Sequence, residues 1–133
     1  HKYQNYGRIL AFKLDGGVTP LPPKFIPKKV PPPPEMDLDK TLVDKGRSLF
    51  NRYCSACHRA GSEEEYSQYP NLAKLDPATY GILKDILLKG VLSQNGMASF
   101  DDVLNEKDVE AIRHFLISEQ KILYKQQQSP MNN

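Results

Sequence analysis

The stretch NRYCSACHRAG, Asn51 to Gly61, contains both cysteines of the chain, three residues apart, with a histidine directly after the second. Residues of these types at this spacing have four chemical uses: a redox dithiol, a structural disulfide, part of a zinc site, or covalent attachment of a haem. A thioredoxin-like pair follows a strand in a βαβ unit, whereas Cys54 and Cys57 end a helical pattern. A bridge across two intervening residues closes too small a loop to constrain the unfolded chain much, and its geometry is strained. Zinc needs a second pair of ligands at matching spacing; His114 stands without a partner on the last predicted helix, and His1 lies in the N-terminal arm. The haem reading uses every residue of the motif. Cys54 and Cys57 become thioethers on the porphyrin edge, and His58 swings under its plane as an axial iron ligand.

Such a histidine asks for a second iron ligand well downstream. Met97, 39 residues after His58, sits in the polar loop NGMASF between the second and the last predicted helix. A methionine is more often core filling, but a polar loop is an unusual place for that. Met36 follows the proline run and Met131 is in the tail, so neither competes well. A thioether is a soft, neutral ligand that favours ferrous iron and raises the reduction potential.

Helices must position these residues. Leu42, Leu49, Phe50 and Tyr53 recur at helical spacing with Gly46 on the same face. Asp76-Pro77 gives an N-cap followed by Pro at the first helical position, with Ile82, Leu83, Ile86 and Leu87 as the apolar stripe and Gly90 as the stop. Asn105, with Asp108 three later, opens a long helix carrying Val109, Ile112, Phe115, Leu116, Ile122 and Leu123. The expectation is an all-α domain over residues 37–125, with loops rich in Gly, Ser, Asn and Glu and a polar tail at 126–133. Three helices with long loops bury little apolar surface, so a domain of this size calls for a staple.

The remainder of the 133 residues is an arm. Eight of the eleven prolines fall in Pro20 to Pro34, which excludes helix and favours an extended polyproline II arm. We expect residues 20–36 to be a semi-rigid linker reaching about 45 Å at roughly 3.1 Å per residue; an SH3-type ligand is the sharper alternative. Ahead of it, GRILAFKLDGG (Gly7 to Gly17) alternates imperfectly and ends in a turn signal. One strand is not stable alone, so residues 1–19 read as the remnant of an upstream domain. With His1 in first place, the chain reads as a processed or cut product. Residues 1–34 carry a net +5 and residues 35–133 a net −3. The arm lacks a basic helix or Gly-rich RNA-binding pattern, which argues against nucleic acid. No apolar run approaches the roughly 18 residues of a spanning helix.

With CSACH, a downstream loop methionine and flanking helices, residues 37–125 resemble the class I cytochrome c domains. Gly46 and Phe50 match the family's first-helix glycine and aromatic, and Phe115, one turn after Ile112, stands at the aromatic position of the last helix. In YPNL, Pro70 matches the proline whose carbonyl accepts a hydrogen bond from the ligand histidine, and Leu72 the leucine on the haem face. The chain departs from the pattern after His58, where many relatives have glycine, and at Ala98, where they often have proline; the latter predicts a less rigid methionine loop. The resemblance implies an all-α, class I cytochrome c-like bundle of three or more helices around one covalent haem c. It also implies electron transfer between ferric and ferrous iron with His58 and Met97 as ligands, no catalytic side chain, and assembly outside the cytoplasm, in a bacterial periplasm. GRILAFKLDGG followed by LPP and the proline-rich linker is similar to the end of the propeller in PQQ-dependent quinohaemoprotein dehydrogenases. That likeness implies an upstream PQQ domain as electron donor and another electron carrier as acceptor. The rival readings are a stand-alone cytochrome or cytochrome subunit of another oxidoreductase, and a haem-based sensor or peroxidase with a labile sixth position.

Overall fold

A computed structural model describes residues 12–18, 28–61 and 69–129. Among these the chain is helical and has no strand. Four α-helices, α1 (Lys40–Tyr53), α2 (Pro77–Gly81), α3 (Leu83–Lys89) and α4 (Glu106–Gln128), are joined by loops containing 3-10 turns at Leu72–Lys74 and Ser93–Asn95. Among the described residues no helix is long and apolar enough to cross a membrane.

Local chemistry sets the helix ends. The Asp39 side chain accepts from the backbone N–H groups of Thr41 and Leu42 at 2.7 and 3.1 Å, opening α1. Those two bonds, the one from Leu42 first, hold the Asp39 carboxyl below its usual range. Asn105 and Asp108 form a capping box that starts α4. Gly90 ends α3 in the left-handed region, φ 61°, ψ 34°.

The expected second helix is interrupted. Ile82 adopts φ −107°, ψ 8°, outside the helical region, ending α2 and preceding α3. It is 49% exposed, off the buried stripe of Leu83, Ile86 and Leu87. Ile122, expected on the buried face of α4, is likewise half exposed.

The core is built on the crossing of α1 with α4. A Cβ at Gly46 would overlap the Ala111 carbonyl and lie 2.8 Å from the Phe115 Cβ, so only glycine lets the two backbones come this close. One turn on, the Phe50 and Phe115 rings meet at 5.3 Å and 52°. Arg47 lies over the other side of Phe115, 4.8 Å from its centroid, and pairs with Glu119 at 3.1 Å. The backbone N–H of Asp39 donates to Nδ1 of buried His114 at 3.3 Å, tying the start of α1 to α4.

Over its described C-terminal part the arm, expected as a semi-rigid linker, packs against the helical body. Residues 28–36 lie on the helical body, with Val30 7% exposed against Ala73 and Leu123. Helix α4 continues to Gln128, beyond the expected domain end at 125, and Gln127 bonds the Val30 backbone. Further upstream, residues 12–18 hold a turn, with the Gly16 N–H donating to the Lys13 carbonyl at 3.2 Å, and Phe12, Leu14 and Val18 are almost fully exposed. The expected strand from Gly7 lies largely outside the described residues.

Candidate functional site

Helix α1 delivers the motif by its ending. Cys54 is the C-cap of α1, and its carbonyl accepts from the N–H groups of Cys57 at 3.1 Å and His58 at 2.8 Å. This turn brings Cys54, Cys57 and His58 to the wall of one cavity of about 600 Å³, within the range of cofactor sites. Pro70, Leu72 and Met97 line the same cavity, so all six residues singled out in the sequence converge on it.

The histidine is oriented by its neighbours. His58 is 8% exposed, and its Nδ1 lies 3.0 Å from the Pro70 carbonyl. A carbonyl only accepts, so Nδ1 carries the proton and Nε2 keeps the lone pair that a metal would take. Pro70 is positioned by the pairing of the next residues with the motif: the Leu72 N–H donates to the Arg59 carbonyl at 2.7 Å, and the Asn71 side chain donates to the Gly61 carbonyl at 2.9 Å. Tyr69 sets its ring edge against His58, centroids 6.0 Å apart at 68°.

The cysteines differ. Cys57 is exposed, whereas burial pushes the Cys54 thiol up to about 11. A thiol so raised is a poor nucleophile at neutral pH, contrary to what a redox dithiol needs.

Met97, also in the cavity wall, is held in a tied loop. Its N–H donates to the Leu92 carbonyl at 3.2 Å, and the Phe100 N–H donates to the Leu87 carbonyl at 2.8 Å. The Ser99 hydroxyl donates to Asp101 at 2.8 Å. Gly96, at φ 88°, supplies the left-handed turn just before the methionine. The loop is therefore anchored on both sides of Met97 without the proline that Ala98 replaces.

The rest of the lining is mostly apolar. Leu83, Leu87, Ile112 and Leu116 supply it from α3 and α4, and Phe100 from the methionine loop. The helical stripes marked the four helix residues as buried but carried no signal that they face a cavity rather than each other. Thr79 and Asn95 add polar groups that no sequence feature singled out. Two thiols, an imidazole with Nε2 free, a thioether and a broad apolar wall around one cavity together fit a covalently held haem.

Comparison with known proteins agrees with this geometry. The family model described as "Cytochrome C oxidase, cbb3-type, subunit III" matches residues 41–116. The chain is 34% identical over 116 residues to quinohemoprotein alcohol dehydrogenase ADH IIB of Pseudomonas putida, covering 86% of this chain and 17% of that protein. It is 33% identical over 138 residues to the dehydrogenase subunit of an alcohol dehydrogenase (quinone) of Komagataeibacter europaeus, covering 97% of this chain and 18% of that one. Cytochrome c6 of Petalonia fascia is 32% identical over 79 residues, 58% of this chain and 92% of its own length. The solved structure of quinohemoprotein alcohol dehydrogenase ADHIIG from Pseudomonas putida HK5 superposes with a TM-score of 0.70 at 30% identity, over 85% of this chain and 16% of that one. The chain thus spans less than a fifth of these quinohemoprotein relatives.

Proposed function

The chain belongs to the cytochrome c family, whose cofactor is covalent haem c, and we propose that it carries one such haem on Cys54 and Cys57, ligated by His58 and Met97, as the electron-transfer domain of a PQQ-dependent dehydrogenase. The observation that supports this reading best is the convergence of both cysteines, an oriented His58 and a loop-anchored Met97 on one apolar cavity.

When bound, the haem supplies an iron that gains and loses one electron. The chain's residues hold and tune it. The Pro70 carbonyl fixes the ring orientation of His58 and makes Nε2 a better donor. Met97 offers a neutral sulfur, favouring the ferrous state. Leu72, Leu83 and Leu116 exclude water from the haem face, which acts in the same direction because the ferric centre carries more charge to be solvated. No proton or group transfer is asked of any side chain, so substrate oxidation belongs to a separate domain.

That domain would precede residue 20, as the names of the quinohemoprotein relatives and the exposed Phe12, Leu14 and Val18 suggest. Its reduced PQQ would be the electron donor, and another carrier, outside the cytoplasm in the periplasm, the acceptor.

Absorption spectra of protein made in cells competent for c-type haem maturation test the reading. A sharp c-type α-band after dithionite, with a weak far-red sulfur-to-iron band in the oxidised form, is expected. A c-type spectrum without the far-red band would remove Met97 as ligand, and no haem band at all would overturn the reading.

A further inference from the structure

The proline-rich segment meets α4 through bonds that read its backbone. Gln127 pairs with Val30 twice: the Val30 N–H donates to Oε1 at 2.8 Å, and Nε2 donates to the Val30 carbonyl at 3.2 Å. Two turns earlier on the helix, Gln120 Nε2 donates to the Pro31 carbonyl at 3.1 Å. Lys121 Nζ donates to the Met36 carbonyl at 2.6 Å, and Lys74 Nζ, from the 3-10 turn, to the Lys28 carbonyl at 3.3 Å. Between these bonds Val30 packs on Ala73 and Leu123.

This arrangement suits the chemistry of a proline run. Pro31 to Pro34 have no N–H, so they present only carbonyl acceptors, and an ammonium or an amide NH₂ is the fitting partner. Val30 is the last residue before them with an N–H, and that is where the helix places a side chain able both to accept and to donate. Gln120 is fully buried and uses its remaining capacity inward, donating to the Leu75 carbonyl at 3.0 Å and accepting from the Tyr80 hydroxyl at 2.7 Å. Leu75 lines the haem cavity, so the seat of the segment and the cavity wall share one polar knot.

We infer that the face of α4 bearing Gln120, Lys121, Leu123 and Gln127 is a binding surface for a polyproline segment, and that its resident ligand is this chain's own residues 28–36. The linker then works as a docked strap over this part rather than as a free spacer. An upstream domain ending at residue 19 would be joined through residues 20–27, eight residues that reach at most about 29 Å at roughly 3.3–3.6 Å each. This tether limit rests on the proposed PQQ-domain donor; the docking does not.

The Val30 amide gives the test. Its hydrogen exchange is followed by NMR in the full chain with haem attached, against a synthetic peptide of residues 26–36 as the undocked reference. Exchange at least about tenfold slower than in the peptide is expected, as two hydrogen bonds to a neutral amide imply. Gln127→Ala, a favourable helix substitution remote from the cavity, should return the rate towards that of the peptide while the far-ultraviolet helix signal stays unchanged. Exchange at the peptide rate in the unsubstituted chain would overturn the inference, as would protection that survives Gln127→Ala undiminished. Haem bands in the same samples report the electron-transfer reading separately: protection at Val30 without haem would sink that reading and leave the strap standing.

Discussion

Met97 controls the site's potential more directly than any other side chain in the proposed ligand set. Its sulfur is soft and neutral, and replacing it by an imidazole gives the iron a stronger σ-donor that favours the ferric form. Met97→His should lower the reduction potential by on the order of 0.2 V, part of the ~0.8 V over which axial ligands move haem potentials. A redox titration, with loss of the far-red band, checks this. Asp108 poses a different question at the same scale. Its carboxylate accepts from Lys45 at 2.7 Å and from the Asn105 N–H at 3.1 Å, and the Lys45 bond is the main cause holding its pKa below the usual 3.8, against the opposing effect of burial. A folded-state pKa below the unfolded one means the stabilisation is fully present above about pH 4 and is lost as pH falls through the folded value. Asp108→Asn keeps an acceptor for the cap but loses the charge, so it should cost about 1 kcal/mol at pH 7. Urea unfolding should show that cost shrinking as pH falls below about 4; a difference constant with pH would place the effect in the cap and not in the charge.

Among the elements, the α1–α4 crossing carries the fold, and Gly46 is its narrowest point. Gly46→Ala puts a methyl into the Ala111 backbone, which no rotamer can relieve, so the helices must separate and the Phe50–Phe115 contact must open. A loss of about 3 kcal/mol or more in denaturant unfolding is expected, at or beyond the upper end of the 1–3 kcal/mol of ordinary overpacking. The two helices of this crossing were legible in their apolar spacing, and their pairing through Gly46, Phe50 and Phe115 only through the resemblance to class I cytochrome c domains. CSACH was legible because its residues are contiguous. The break at Ile82 was not: the apolar stripe of Ile82, Leu83, Ile86 and Leu87 keeps a helical period through it, and only the backbone dihedrals of Ile82 show the interruption. The strap was hidden for another reason. Gln127 and Val30 are 97 residues apart, and a proline run reads the same docked or free. Local pattern reports which face of an element is buried, and not which distant segment covers it.

For the molecule as a whole, the cofactor and the core are one problem. The residues enclosing the cavity, Leu83, Leu87, Ile112 and Leu116, are also members of the main hydrophobic cluster with Phe50 and Phe115. A cavity of about 600 Å³ bounded by such residues is costly to maintain without a cofactor. Water entering from the open side offsets part of that cost, but the apolar wall stays without packing partners. Small domains have roughly 5–15 kcal/mol in all. The haem is therefore the staple that a four-helix chain with long loops requires, and its two thioether bonds keep it in place when the fold opens. Replacing both Cys54 and Cys57 by Ala removes the covalent anchor without adding volume. The doubly substituted chain, prepared without haem, should keep part of its helical signal but lose near-ultraviolet ellipticity and unfold without a cooperative transition. Calorimetry beside the holoprotein decides the point: a sharp endotherm within a few degrees of the holoprotein would mean that helix packing alone sustains the domain.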